Sequence, residues 1–290
     1  MNRFFLFSFL FIWFLSCNKV ISSTPEKFPV ATNNVKINET LPVIIYGDTR
    51  NNYKVHKTLI KSFLKKTPTI VFNTGDLVYN GNDTELWPIF LNIIRPVLKV
   101  AKYYPVLGNH EMEALNYFKV FELPNNEKWY KVKFKNITFF VLDSNSDLEK
   151  NSKQYLWLEK QLKSCVSDFK VLIFHHPVLS AGRHGGYSSL GNSLIPLMRK
   201  YSVQLVFNGH DHAYQRFLKD GITYIVTGGG GAPLYDKVKN FKDEEYLKKY
   251  LKIYHYCLID CKNKELNISV YDISNTLRDS FSVKPLKSKK

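Results

Sequence analysis

Short apolar runs alternate along the chain with longer stretches of helical spacing, and the two patterns have different readings. Residues 43–46, 69–72, 104–107, 171–174 and 204–207 are largely apolar four-residue runs rich in Val, Ile, Leu, Phe and Tyr. They are too short for helices, and this predicts strands buried on both faces. Residues 55–66, 85–98, 153–164 and 194–201 carry apolar side chains at helical spacing, and breaks are predicted in the second at Pro88 and Pro96. Strands alternating with helices predict βαβ units, an α/β fold and a mainly parallel sheet. Lys135-Asn136, between the apolar residues 129–134 and 137–142, predicts a hairpin. Residues 214–218, 222–227, 253–260 and 266–272 are predicted as strands of a second, mostly antiparallel sheet. The domain is read as residues 42–275, with no internal repeat or further boundary, and residues 276–290 as a basic tail.

The first residues do not belong to that pattern. Arg3 precedes an almost unbroken apolar run over residues 4–15, closed by Ser16-Cys17. A run of about a dozen is short of the roughly 20 residues that a spanning helix needs, and it reads as an export signal. Phe14-Leu15-Ser16-Cys17 resembles a loose lipobox. On that reading residues 1–17 are the signal, Cys17 carries a lipid that anchors the protein to a membrane, and residues 18–41 are a tether. The alternative is a plain signal peptide cut near Ser22 or Ser23. The expected location is therefore exported: secreted, periplasmic or lipid-anchored. Cys165, Cys257 and Cys261 remain. Cys257 and Cys261 stand four apart on a predicted strand, roughly 13 Å from one another, so no disulfide framework is read. The net charge of +16 favours anionic partners. The lysines are scattered and no aromatic-basic motif accompanies them, so the charge is read as composition and nucleic acid is not an expected partner.

Five motifs follow the apolar runs in order: Gly47-Asp48-Thr49-Arg50, Gly75-Asp76-Leu77-Val78-Tyr79, Gly108-Asn109-His110-Glu111, His175-His176-Pro177 and Gly209-His210-Asp211-His212. Each contains a side chain able to bind a metal. Taken singly, each has a plainer reading. A carboxylate after a strand can cap the next helix, Asn109 can serve a turn, and His175 can be a satisfied buried histidine. Their conjunction points to a site with two metal ions, which needs several O and N donors gathered from distant loops. The run Gly228-Gly229-Gly230-Gly231 lacks the ending of a phosphate-binding loop and is read as close packing.

This motif set resembles the calcineurin-like metallophosphoesterases, and among them the purple acid phosphatases. The resemblance implies a four-layer α/β/β/α sandwich of two mixed sheets, with the metal site at the C-terminal edge of the strands. It implies that Asp76 bridges two metals, that the first also takes Asp48, Tyr79 and His212, and that the second takes Asn109, His175 and His210. The first motif ends in Arg50 where much of the superfamily has a histidine ligand, and arginine carries only donors. Tyr79, three residues after Asp76, is the mark of the purple branch. A phenolate implies Fe(III) at the first position, with Fe(II), Zn or Mn at the second. His110 and His184 are implied to face substrate phosphate. Arg50 is expected either to hold phosphate or to make a structural ion pair away from the site. The implied activity is hydrolysis of phosphate monoesters by a metal-activated water molecule, on a phosphorylated small molecule or phosphoprotein. The alternatives are a phosphodiesterase or nucleotidase on the same scaffold, and a non-catalytic anchoring protein that keeps the fold.

Overall fold

A computed structural model of the protein describes residues 42–262 and 264–285. The expected signal, the cysteine expected to carry a lipid and the expected tether lie outside the described residues. Two mixed sheets are stacked between helices. In the first, β1 (Val43–Tyr46), β2 (Ile70–Asn73) and β3 (Lys102–Pro105) run parallel. In the second, β5 (Ile137–Val141), β6 (Phe169–Ile173) and β7 (Leu205–Asn208) are parallel, and β4 (Tyr130–Phe134) closes one edge as the hairpin partner of β5. β8 (Tyr214–Lys219), β9 (Ile222–Thr227) and β10 (Leu247–Leu251) complete that sheet in the order β10-β8-β9-β7-β6-β5-β4.

Three sequence expectations need correction. β11 (His255–Lys262) and β12 (Glu265–Asp272) do not join β8 and β9 in a separate antiparallel sheet. They extend the first sheet, where Cys257 pairs with Ile45 and Ile259 with Val43 in antiparallel register. The assumed basic tail contains β13 (Leu277–Val283), the edge strand beside β12. α2 (Leu86–Leu98) runs unbroken through both prolines. Pro88 lies in the first turn, where its missing N–H has no intrahelical acceptor to lose. At Pro96 the buried stripe of Phe90, Ile93, Ile94 and Val97 carries the helix across.

Alternation along the central strands explains the layering. Phe139, Val141, Val171, Ile173, Leu205 and Phe207 face the first sheet and share one core with α1 (Tyr53–Leu64) and α2. Their neighbours Phe140, Leu172 and Val206 point the other way, into a second core with α4 (Lys153–Lys163) and α5 (Ser188–Lys200). The short α3 (Leu115–Val120) follows the third motif. Side-chain caps set two helix starts: Asn52 accepts from the Val55 N–H at 3.1 Å, and Ser152 from that of Tyr155 at 3.2 Å. A single 3-10 turn (Glu244–Tyr246) precedes β10.

The C-terminal ends of β1, β2, β3, β6 and β7 all open onto one rim, and the motif loops leave from there. A buried chain of hydrogen bonds ties the first three of these ends together. The Tyr46 hydroxyl meets His56 Nε2 at 3.0 Å and the Tyr103 hydroxyl at 3.2 Å, Asn73 Nδ2 donates to Tyr103 at 3.0 Å, and Asn73 Oδ1 accepts from the Gly75 N–H at 3.1 Å. His56 is therefore part of the core, and burial lowers its pKa to about 3, so it stays neutral.

Candidate metal centre

The motif loops are folded back sharply. Asp48, Asp76 and His210 all have positive φ, at 59°, 56° and 70°. A non-glycine residue in that region costs about 1–3 kcal/mol and persists only where its surroundings over-determine it. Here the surroundings do so. The Asp48 N–H donates to the Gly75 carbonyl at 2.9 Å, and both Asp48 oxygens accept from the His210 N–H at 3.0 and 3.1 Å. Gly75 has φ 101°, and a Cβ there would lie 2.7 Å from His175 Nδ1, so only glycine fits. The glycine run after β9 passes against the first loop as expected, and a Cβ on Gly230 would stand 2.2 Å from the Gly47 carbonyl oxygen.

Four of the expected side chains converge on one spot. Asn109 Oδ1 lies 3.0 Å from His175 Nε2 and 2.9 Å from His210 Nδ1. The two imidazole nitrogens are 3.3 Å apart, and His175 Nε2 is 3.4 Å from Asp76 Oδ1. His175 Nδ1–H donates to the Thr74 carbonyl at 2.9 Å, which leaves Nε2 with its lone pair toward the other acceptors. The donor set of carboxylate, amide oxygen and two imidazoles, brought this close, suits a cation. His210 is held from behind by the Tyr187 hydroxyl, 3.0 Å from Nε2.

A second cluster adjoins the first through Asp76. Asp48, Asp76 and His175 bring ligand atoms within 4.8 Å of one another, and His212 Nε2 stands 3.6 Å from Asp48 Oδ1. His212 Nδ1–H donates to the Pro233 carbonyl at 2.8 Å, and its ring stacks on Tyr235 at 4.2 Å. These donors also fit a cation.

Tyr79 does not join this cluster. The residue is 58% exposed and its ring centre is 5.4 Å from that of His110. Arg50 is there instead. Its Nε donates to Asp76 Oδ2 at 3.2 Å and its Nη2 lies 3.3 Å from His212 Nε2. The ion pair of Arg50 thus lies inside the site and not away from it, as one of the two sequence alternatives had it. His110 is at the rim, its N–H on Asp76 Oδ1 at 3.2 Å and its Nε2 3.8 Å from Asp76 Oδ2. His184 is exposed, with its ring 4.4 Å from that of His210. A cavity of about 710 Å³ opens beside His110, lined by Tyr79, Met112 and Asn145 among others.

Burial dominates the electrostatics. It pushes the Asp48 carboxyl well up, and the neighbouring Asp76 charge adds to this. For Asp76 burial again acts upward, but His175, His110 and Arg50 together outweigh it and hold the carboxyl below its ordinary range. Burial lowers His175 and His210, and takes His212 to about 4. Neutral imidazoles are the form that binds metal.

Two supporting carboxylates carried no role in the sequence reading. Glu111 is buried and accepts four backbone N–H groups: Asp76 and Gly108 on Oε2 at 2.9 and 3.0 Å, Leu77 and Val78 on Oε1 at 2.8 and 3.1 Å. It staples the loop of Asp76 to the loop of Asn109. Asp211 is also buried. It accepts from the Ser180 hydroxyl and, at 3.0 Å, from the His184 N–H, so it fixes the His184 loop to the segment between His210 and His212. An acidic residue beside a ligand within a short motif was the available signal for both. Nothing in the sequence pointed to Tyr187 or Tyr235.

The family model of the calcineurin-like phosphoesterases matches residues 41–214, a segment that contains every one of these converging ligands. The chain belongs to the calcineurin-like phosphoesterases. It is a hydrolase of phosphoester bonds from the purple acid phosphatase-like branch of that family, whose members use a dinuclear metal site. It is 24% identical to purple acid phosphatase 7 of Arabidopsis thaliana over 247 residues, covering 73% of this chain and 75% of the relative. A purple acid phosphatase from yellow lupin (Lupinus luteus) seeds has the same fold, with a TM-score of 0.78 at 20% identity, over 84% of this chain and 54% of the lupin chain. This phosphoesterase therefore spans about half of the lupin protein. GAP50, the anchor in the inner membrane complex of Plasmodium, shares the fold with a TM-score of 0.72 at 18% identity, over 86% of this chain and 90% of its own.

Proposed function

We propose that this phosphoesterase hydrolyses phosphate monoesters of small molecules or phosphoproteins at a dinuclear centre. Asp76 is shared, Asp48 and His212 belong to the first position, and Asn109, His175 and His210 to the second. When bound, two such ions supply polarisation of the ester and acidification of a water nucleophile. The observation that carries this reading is the convergence of Asn109 Oδ1, His175 Nε2 and His210 Nδ1, all within 3.3 Å of one another.

The chain's own groups supply the rest. The Thr74 and Pro233 carbonyls hold His175 and His212 in rotation and tautomer, and the Tyr187 hydroxyl holds the rotation of His210. His110 keeps Nδ1 against the Tyr79 carbonyl at 2.5 Å, which fixes the ring so that its cationic form can pass the Nε2 proton to the departing oxygen and return to the neutral Nδ1–H tautomer. The adjoining cavity of about 710 Å³ takes the leaving group. His184, presented by Asp211, and the Arg50 fork offset charge on the phosphoryl oxygens. With Tyr79 outside the cluster, carboxylate and imidazole donors suit Zn, Mn or Fe(II) as well as Fe(III). The apolar signal ending at Cys17 supports export, with a lipid anchor at that cysteine.

The test is an assay with p-nitrophenyl phosphate and its bis-ester, alongside metal analysis. Monoester turnover should vanish with a chelator and return on adding metal. Protein that cannot be loaded with metal would overturn the reading, and faster turnover of the bis-ester would replace it with a phosphodiesterase. Labelling with a radioactive fatty acid, in wild type and Cys17→Ser, tests the anchor.

A further inference from the structure

Asp48 and Asp76 are 0% and 1% exposed, and buried carboxylates need a compensating charge. The protein brings one itself. The Arg50 side chain is only 12% exposed, and its three nitrogens are all engaged: Nε with Asp76 Oδ2 at 3.2 Å, Nη2 with His212 Nε2 at 3.3 Å, Nη1 with Asn51 Oδ1 at 3.0 Å. The contact with His212 is a true donor–acceptor pair, because Nδ1–H of that ring is committed to the Pro233 carbonyl and Nε2 has a free lone pair. Arginine keeps its charge at any ordinary pH and cannot act as a ligand. A metal on His212 Nε2 would sit about 2.0–2.1 Å from it, along the direction the guanidinium now takes. The two cannot coexist there. Tyr79 fits the same picture, since its exposed ring lies 6.0 Å from the Arg50 guanidinium carbon and outside the cluster.

We propose that Arg50 is the resident cation of the first position, and that its guanidinium and the first metal ion exclude one another. This rests on the metallophosphoesterase reading above and adds a rule of loading to it. The second position has no such competitor and fills readily. The first fills only when the guanidinium leaves, and the oxygens of a bound phosphate offer its fork an alternative partner. Phosphate and the first metal should therefore each favour binding of the other.

The experiment is a titration of the chelator-stripped full chain with Zn(II) against a chromophoric competitor. Wild type should take one equivalent tightly and a second at least about tenfold more weakly, and Arg50→Met should tighten the weak equivalent by about tenfold. Inorganic phosphate should tighten the weak equivalent several-fold more in wild type than in Arg50→Met. An unchanged or weakened second equivalent in Arg50→Met overturns the proposal. Two equal, tight equivalents in wild type overturn it too. If wild type binds no metal at all, the metallophosphoesterase reading fails instead. Should Arg50→Met not fold, a crystal structure of wild type with excess Zn(II) decides. A guanidinium displaced from His212 supports the exclusion, and both positions filled around an unmoved Arg50 refute it.

Discussion

The two halves of the proposed metal centre are built differently. Around the second position every donor is braced from behind: His175 by the Thr74 carbonyl, His210 by Tyr187, Asn109 by its place in the loop that Glu111 staples. Around the first position His212 is braced by Pro233, but Arg50 lies across the opening and Tyr79 stands out in solvent. Both halves share Asp76, so the difference arises in the outer groups. Pre-organisation here is a property of the partners behind each ligand, and the ligand residues alone do not confer it.

The contrast can be broken most forcefully at its shared support. Glu111→Ala leaves four buried N–H groups without their acceptor, each worth about 1–3 kcal/mol, with water recovering part of that. A loss of about 4 kcal/mol is expected, read as a shifted urea midpoint at constant slope, and metal should be lost from both positions. His175→Ala should separate the halves. Zinc affinity at the second position should fall more than the roughly 10–100-fold that outer partners cost, with the fold intact by circular dichroism. Tyr187→Phe removes only the brace behind His210, and about a tenfold loss at that same position is expected in a competition titration. Tyr79→Phe sharpens the comparison from the other side. A residue outside the cluster should change metal affinity by less than about twofold, and the iron-loaded protein should keep its visible spectrum; loss of a charge-transfer band would return Tyr79 to the ligand set.

Much of this centre was legible because its ligands follow strands whose apolar runs are unmistakable. Val43–Tyr46 and Ile70–Asn73 announce the loops of Asp48 and Asp76 directly. The partners of a strand are less legible than the strand. The pattern of His255–Lys262 fits either sheet, and its pairing with β1 depends on where the chain travels in between. Edge strands fade for a related reason. Leu277–Val283 contains Asp279, Ser280 and Ser282, and Leu247–Leu251 contains Lys248 and Lys249, so neither shows the apolar signal of an inner strand. The position of Arg50 could not be read at all. Neither expected alternative, a phosphate clamp or an ion pair away from the site, describes its pairing with Asp76, which the rotation of one long side chain decides.

The left-handed backbone at Asp48 and Asp76 has a consequence for descent. That conformation admits asparagine and glycine nearly as readily as aspartate, and rejects branched residues. A single change to asparagine would remove a charge from the centre while leaving the loop its shape. Folded relatives that have given up turnover are thus one codon step away, and the scaffold can outlive its chemistry.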